Sequence, residues 1–498
     1  MILISTSYCS PFYKLNHICA HSIYMIDTIY EVNYDIDTMT IYQPDLSDRP
    51  GPKYRAIAQA IAEDIASGRL TPGTRLPPHR DLAWRLGVTV GTISRAYGEA
   101  ARLNLVDGEV GRGTYVQDPA DSGPTSLMEP HPHLIEMTQN SPALGPHGAA
   151  LGDSLRSLAA ARNGNALLGY NSEIGPLAHR QAGAQWLSRV GLNVSADDVI
   201  IVGGAQSALL STLQSFSHAG DPVLLEALTY SQLIDGVHFT QRRGVAVALD
   251  DEGITPDALD AACTASGAKL LFLVPTLQNP TNGVMSLARR QAIVDVARRH
   301  DLLIVEDDVY GYLIKDRPAP IASLAPERTI YITSASKSLA PGLRVAWVTA
   351  PRHHLSRLAE AVRITTVTQP ALTGAVVSQW IEDGRAEDLL LWQRQETAAR
   401  YEIAAKYLDG MDWRGHAAAF HVLLHLPPPW QADDFAARAR QIGITVSPLT
   451  PFAVQANDAA QAIRITLSQS PDRATLERAL STLRDLWARG PNRPRAII

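Results

Sequence analysis

Cysteine is scarce in this 498-residue sequence, and what is missing narrows its class early. The three cysteines, Cys9, Cys19 and Cys263, form no CxxC pair and no zinc-ligand spacing. An odd count of three argues against a disulfide framework and fits a reducing, cytoplasmic setting. No run of about 18 apolar residues occurs, which excludes an ordinary membrane-spanning helix. The opening Met1-Ile-Leu-Ile has neither a basic leader nor a small-residue cleavage site, so no secretory signal is expected. Charge of either sign is modest: charged residues make up 19%, for a net of −6. Internal repeats and low-complexity tracts are absent. Apolar residues are plentiful at 46%, enough for a large globular core. A chain this long holds roughly two to four domains.

The charge is unevenly placed. Residues 51–117 carry nine Lys/Arg against six acids, whereas residues 1–50 carry two against six. A basic island in an acidic chain points to a polyanionic partner. Residues 1–50 are rich in Tyr, Ile, Asp and Thr, without caps or sustained period, and poor order is expected there. Met39 is the expected true start.

From Lys53 the pattern turns helical. Tyr54, Ile57, Ile61 and Ile65 recur every three or four residues, and Gly68 closes the element. Turn residues 71–77 lead into a short helix from Arg80 to Leu86 that stops at Gly87. A second helix opens at Thr89 or Gly91 and runs through Tyr97. Two short strands within Leu105–Val116 make a hairpin, and the Pro- and Gly-rich residues 118–133 read as a linker. Helix, turn, helix and hairpin within about 65 residues is the layout of a winged helix-turn-helix, whose second motif helix enters the DNA major groove. Thr89, Thr92 and Arg95 lie on that helix. Arg80 opens the one before, placed for a phosphate or guanine, and Arg112 at the hairpin tip is suited to a minor groove. These segments, with Pro72-Gly-Thr-Arg-Leu-Pro77 and Gly111-Arg-Gly-Thr-Tyr-Val116, fall in the order of a GntR-type domain, which residues 51–117 resemble. The family commonly has arginine where this chain has Val90, so one contact to DNA is lost.

Beyond 134, apolar strands alternate with helical stretches: 199–202, 222–225, 270–274, 302–305, 330–332 and 345–348. That alternation predicts an α/β domain with a mostly parallel sheet and helices on both faces. After about residue 390, helices mix with strands at 422–424 and 463–465, a smaller α+β subdomain.

The strongest local signal is Ser334-Ala-Ser-Lys-Ser-Leu-Ala-Pro-Gly-Leu-Arg344. An aldehyde cofactor needs an amine that sheds its proton readily, which apolar surroundings and neighbouring cations favour at Lys337. Its phosphate needs donors, here Ser334, Ser336 and Arg344. Asp307 ends one predicted strand, Gln278-Asn-Pro-Thr-Asn282 follows another, and Gly203-Gly-Ala-Gln-Ser207 follows a third and opens a helix. Each has a bland reading alone. Together they gather at the carboxyl edge of the predicted sheet, where such sheets bind ligands.

These residues resemble fold-type I pyridoxal-phosphate aminotransferases over about 134–490. The resemblance implies that Lys337 bonds to the cofactor aldehyde and Asp307, rather than its neighbour Asp308, pairs with the pyridine nitrogen. It implies that Tyr310 and Asn279 meet the ring hydroxyl and Tyr230 stacks on the ring. Ala205, Gln206, Ser334 and Arg344 would hold the phosphate, joined by Tyr170 from the second subunit of a homodimer. Arg464 would clamp an amino acid carboxylate, with Asn279 beside it. Asn282 departs from the usual glycine of this motif. The two modules in this order resemble MocR-type regulators. The implied protein is a pyridoxal 5'-phosphate-dependent regulator that binds double-stranded DNA and senses a small amine or amino acid. The alternative is a working aminotransferase that carries an appended DNA-binding domain.

Overall fold

The computed structural model describes residues 42–46, 51–71, 73–102, 105–109, 113–116, 134–161, 164–455 and 460–491. The chain divides into two compact units, Met1–Glu129 and Pro130–Ile498.

In the first unit, α1 (Lys53–Ala66) is followed by β1 (Arg75–Leu76), α2 (His79–Leu86), α3 (Val90–Arg102), β2 (Val106–Glu109) and β3 (Gly113–Val116). Ile57 and Ile61, one helical turn apart, put α1 against Ile93, Ala96, Tyr97 and Ala100 of α3. Gly87 takes a left-handed conformation (φ 62°) that ends α2 and lets the chain turn into α3. The strands form an antiparallel sheet in the order β1-β3-β2, the wing. The expectation of poor order over 1–50 does not hold at Tyr42. Its ring is buried with Ile57 and Ile61, and its hydroxyl donates to Asp64 at 2.9 Å. A phenol can cover the α1–α3 core and satisfy a buried carboxylate at once, a pairing that local sequence does not announce. The other expectations for 1–50, the linker 118–133 and the hairpin tip with Arg112 lie outside the described residues.

The second unit opens with β4 (Ile135–Glu136) and is built on β5 (Val199–Val202), β6 (Pro222–Glu226), β7 (Arg243–Val247), β8 (Leu270–Leu273), β9 (Leu303–Asp307), β10 (Thr329–Ser334) and β11 (Ala346–Thr349). Their order is β5-β11-β10-β9-β8-β6-β7, parallel throughout except that β11 runs against both neighbours. The edge strand β7 was not anticipated: Arg243-Gly-Val-Ala-Val is short, and its glycine and flanking arginines hide the apolar signal.

Both faces are buried, as continuous apolar strands require. Ile330, Ile332, Ala346 and Val348 pack with Leu209 and Leu213 of the helix Ala205–Phe216. Tyr331 and Trp347, on the opposite face, pack with Trp186 and Trp380. After the long helix Arg385–Tyr407 come β12 (Trp413–Gly415), β13 (His421–His425), β14 (Ile444–Thr445), β15 (Ser447–Pro448) and β16 (Ala462–Thr466). Four of them form the sheet β12-β13-β16-β15, and β14 pairs with β4. The segment from β4 onward is thereby tied to this C-terminal subdomain. Among the described residues no helix is long and apolar enough to cross a membrane.

Candidate cofactor site and DNA-facing residues

The carboxyl ends of the parallel strands converge on a cavity of ≈ 430 Å³. Lys337 stands on a one-turn helix, Ala335–Ser338, that starts where β10 ends. Ser334 caps that turn, its hydroxyl accepting from the Ser336 N–H at 3.3 Å. Because β11 is antiparallel, its beginning, not its end, lies at this edge. The pairing Ser334↔Ala346 thus brings Arg344 beside the lysine turn. Gly204 precedes the helix Ala205–Phe216 with φ 105°, and a Cβ there would sit 2.2 Å from Arg344 Nη2. Only glycine lets that guanidinium lie against the helix start, where the first N–H groups lack intrahelical partners.

Asp307 lines the cavity, whereas Asp308 does not. Successive strand residues face opposite sides of a sheet. Asp308 instead pairs with Arg317 and accepts from the Tyr331 hydroxyl at 2.6 Å. Burial, and then the charge of Asp308, push the Asp307 carboxyl up to about 7. Its Oδ1 is buried with no hydrogen-bond partner among the described residues. Lys337 is held down to about 8, first by burial and then by Arg464, with Asp307 opposing.

Arg464, on β16, is buried and has no acidic hydrogen-bond partner among the described residues. Its Nη1 donates to Asn279 Oδ1 at 2.8 Å, its Nη2 donates to the Thr138 carbonyl, and its Nε has no partner among the described residues. The Phe452 ring lies beneath it, 4.5 Å from ring centroid to Cζ. Burial lowers its pKa to about 10. Tyr230 and Tyr310 complete the wall, both pushed up by burial, Tyr230 to about 12.

Every expected cofactor residue except Tyr170 lines this one cavity: Lys337, Asp307, Tyr310, Asn279, Tyr230, Ala205, Gln206, Ser334 and Arg344, with Arg464 among them. Tyr170 is 88% exposed and is not in the wall. Thr138, Gln139, Asn140 and Ser141 also line it and were missed. A short polar run just past a two-residue strand carries little signal. Asn140 accepts from Lys337 Nζ through its carbonyl, and its side-chain Nδ2 donates to the Tyr310 hydroxyl at 2.7 Å. His421, also missed, is buried behind Asn140.

Among the described residues, the charged groups in the wall are three cations, Lys337, Arg344 and Arg464, and one carboxylate, Asp307. That balance suits a ligand with more than one anionic group. Pyridoxal phosphate, the cofactor this fold implies, fits the donor set. Arg344 and the helix start suit a phosphate, Asp307 Oδ1 suits a protonated ring nitrogen, and the Lys337 amine suits an aldehyde.

In the first unit, Arg80, Thr89 and Arg95 are exposed and Thr92 is half-buried. Thr89 caps α3, its hydroxyl accepting from the Thr92 N–H at 3.2 Å, so part of its bonding capacity is spent locally. Val90, 44% exposed, takes the first position of α3.

Comparison with known proteins agrees with this division. Residues 132–483 match the aminotransferase class I and II family, and residues 53–116 match the gntR family of bacterial regulatory proteins. The uncharacterized HTH-type transcriptional regulator YdeF of Bacillus subtilis (strain 168) is 29% identical over 89% of this chain and 96% of its own length. YjiR of Escherichia coli (strain K12), another such regulator, is 29% identical over 61% of this chain and 70% of its own. LysN, the alpha-aminoadipate aminotransferase of Thermus thermophilus, solved with N-(5'-phosphopyridoxyl)-L-leucine, superposes with a TM-score of 0.65 at 27% identity. The match covers 72% of this chain and 92% of LysN. The chain belongs to the aminotransferase class I and II family and carries a GntR-type DNA-binding domain ahead of it, the composition of the MocR-type transcription regulators.

Proposed function

We propose that this protein is a transcription regulator that holds pyridoxal phosphate on Lys337, senses a small amine or amino acid in the same cavity, and changes its hold on double-stranded DNA accordingly. One observation carries the reading: a buried guanidinium without an acidic partner, Arg464, faces the same cavity as an amine held near pH 8. A buried unpaired cation is costly, and a ligand carboxylate relieves that cost. When bound, the cofactor supplies an electron sink next to the ligand's amine. The chain's own residues do the rest. Lys337 Nζ is neutral in a useful fraction near pH 7 and takes or returns a proton there. Asp307 holds a charge or a proton at its buried carboxyl, and Arg464 orients an incoming carboxylate.

Effector-dependent DNA binding requires that the ligand bind two arrangements of the protein unequally. The exposure of Leu168, Tyr170, Ile364 and Val367 supports a homodimer, in which Tyr170 would serve the partner's phosphate site. A DNA partner supports the cytoplasm as the proposed compartment. On DNA, Arg80, Thr89, Thr92, Arg95 and Arg112 are the proposed contacts.

The test is a DNA-binding titration of protein loaded with pyridoxal phosphate, with and without a panel of amino acids and amines. At least one compound changes the affinity, and Arg464→Met abolishes the response to carboxylate ligands while retaining the visible absorbance. No response to any compound would count against sensing. A second reading, transamination as the main activity, is favoured by the presence of Lys337, Asp307, Asn279 and Arg464 in one cavity. Rapid multiple turnovers with an amino acid and a 2-oxo acid would establish it.

A further inference from the structure

His421 begins β13 with a side chain only 1% exposed, and its imidazole sits between two groups drawn from distant parts of the chain. Nε2 is 3.1 Å from the Pro280 carbonyl, next to Asn279. Nδ1 is 3.2 Å from Oδ1 of the Asn140 side chain. Nδ2 of the same amide donates to the Tyr310 hydroxyl at 2.7 Å. Burial, with Arg464 and Lys337 as cationic neighbours, keeps the imidazole neutral.

A neutral imidazole has one N–H and one lone pair. The Pro280 carbonyl is an acceptor only, so Nε2 must carry the hydrogen. Nδ1 is then the lone pair and must face a donor. The donor end of the Asn140 amide is its NH₂, so the amide has to be turned over from the placement just described, an exchange of two atoms of nearly equal size that sets NH₂ toward His421 and the oxygen toward Tyr310. The phenol hydrogen then points at Asn140. Every group in this buried chain is satisfied by that arrangement. With the amide unturned, a neutral imidazole has two acceptors face to face, at Nδ1 and the amide oxygen or at Nε2 and the Pro280 oxygen.

We propose that His421 and Asn140 form a positioning pair: His421, anchored on Pro280 through Nε2–H, fixes the Asn140 amide so that its oxygen holds the Tyr310 hydroxyl, while the Asn140 carbonyl holds Lys337. Three separate pieces of wall meet in it: the segment after β4, the loop after β8, and β13 of the C-terminal subdomain. Phe420, next to His421, packs edge-on against the Tyr310 ring with centroids 6.3 Å apart, so the same strand sets the position of both ends of the phenol. Neither residue of the pair lies at the carboxyl end of a parallel strand of the seven-stranded sheet.

The inference rests on the reading of the cavity as a pyridoxal phosphate site only for its affinity readout. The first measurement is independent of it: nitrogen NMR of the full chain labelled with [¹⁵N]histidine, with His421 identified by its loss in His421→Phe. The expected result is a protonated Nε2 and a bare Nδ1, unchanged between pH 6 and 8; an Nδ1–H tautomer or an imidazolium overturns the proposal. In Asn140→Leu the Nδ1 signal moves as its donor is lost, and the affinity for pyridoxal phosphate falls by roughly tenfold, the scale of one buried hydrogen bond. In Asn140→Asp a carboxylate accepts from both neighbours. His421 then becomes doubly protonated, and affinity stays within about threefold of wild type, as expected when the same bonds are kept. Wild-type affinity in Asn140→Leu also overturns the pair. If the wild-type protein takes up no pyridoxal phosphate, the cofactor reading fails and the tautomer alone decides the pair.

Discussion

Replacing Gly204 with alanine perturbs the proposed phosphate end of the cavity at one atom. Gly204 has φ 105° and ψ 157°, a region essentially reserved for glycine, and a side chain held there costs about 1–3 kcal/mol. The new Cβ would also fall 2.2 Å from Arg344 Nη2 and 2.7 Å from its Cζ. The guanidinium is the free end of a flexible side chain, so it swings away at little steric cost. What it loses by moving is the proposed contact to the phosphate. A hydrogen bond to a charged group contributes about 1.5–3 kcal/mol, so affinity for pyridoxal phosphate should fall by roughly 10- to 100-fold. Gly203 is the matched control: a Cβ there meets nothing within 4 Å, and its φ is not positive. The assay is titration of cofactor-free protein with pyridoxal phosphate, followed by visible absorbance. If Gly204→Ala binds like wild type, or Gly203→Ala is equally impaired, the assignment of this turn and Arg344 to the phosphate is refuted.

With Lys337 held to about 8, the rate of pyridoxal phosphate capture should rise about tenfold per pH unit below 8 and level off above it. A rate still climbing past pH 10 in stopped-flow absorbance would show an unperturbed lysine. Glu226, buried at the end of β6 and accepting from Gln278 at 2.9 Å, is pushed up to about 8 by burial. The folded state therefore binds its proton more tightly than the unfolded state. That stabilisation is complete below the ordinary glutamate range and is lost as pH rises toward 8. Thermal unfolding from pH 5 to 8.5 should show a smaller decline in Glu226→Gln than in wild type, and equal declines would contradict the sign. On DNA, Arg80→Ala should weaken binding to many sequences alike and reduce the slope of log affinity against log salt by about 1. A loss confined to one sequence would make Arg80 a base contact instead.

The two-module division was legible because each module announces itself locally. Apolar residues at helical spacing from Tyr54 to Ile65, glycines at 68 and 87, and the Ser334–Arg344 run all act through neighbours in sequence. The central strands were legible because a strand buried on both faces is apolar without interruption, whereas β7, at the sheet edge, is not. Asn140 and His421 were illegible for the converse reason. One sits in a short polar run and the other is a lone histidine in an apolar strand, and neither pattern distinguishes a cavity wall from ordinary structure. Tyr42 escaped notice because its partners, Asp64 and the α1–α3 core, lie well downstream in sequence.

By itself, the sequence determined which chemical groups were available and in what local order: an amine beside hydroxyls, an arginine seven residues on, glycines before a helix, basic side chains on two short helices. The tertiary structure decided which of them meet. The reversed direction of β11 carries Arg344 to the edge where Lys337 stands, and the pleat of β9 sends Asp307 into the cavity and Asp308 to Arg317. The packing of β13 and β16 beside the segment after β4 brings residues 140 and 464 into one wall, with 280 and 421 behind it. Local rules act over a few residues, and burial with hydrogen-bond satisfaction acts across hundreds, so only the folded chain could assign those partners.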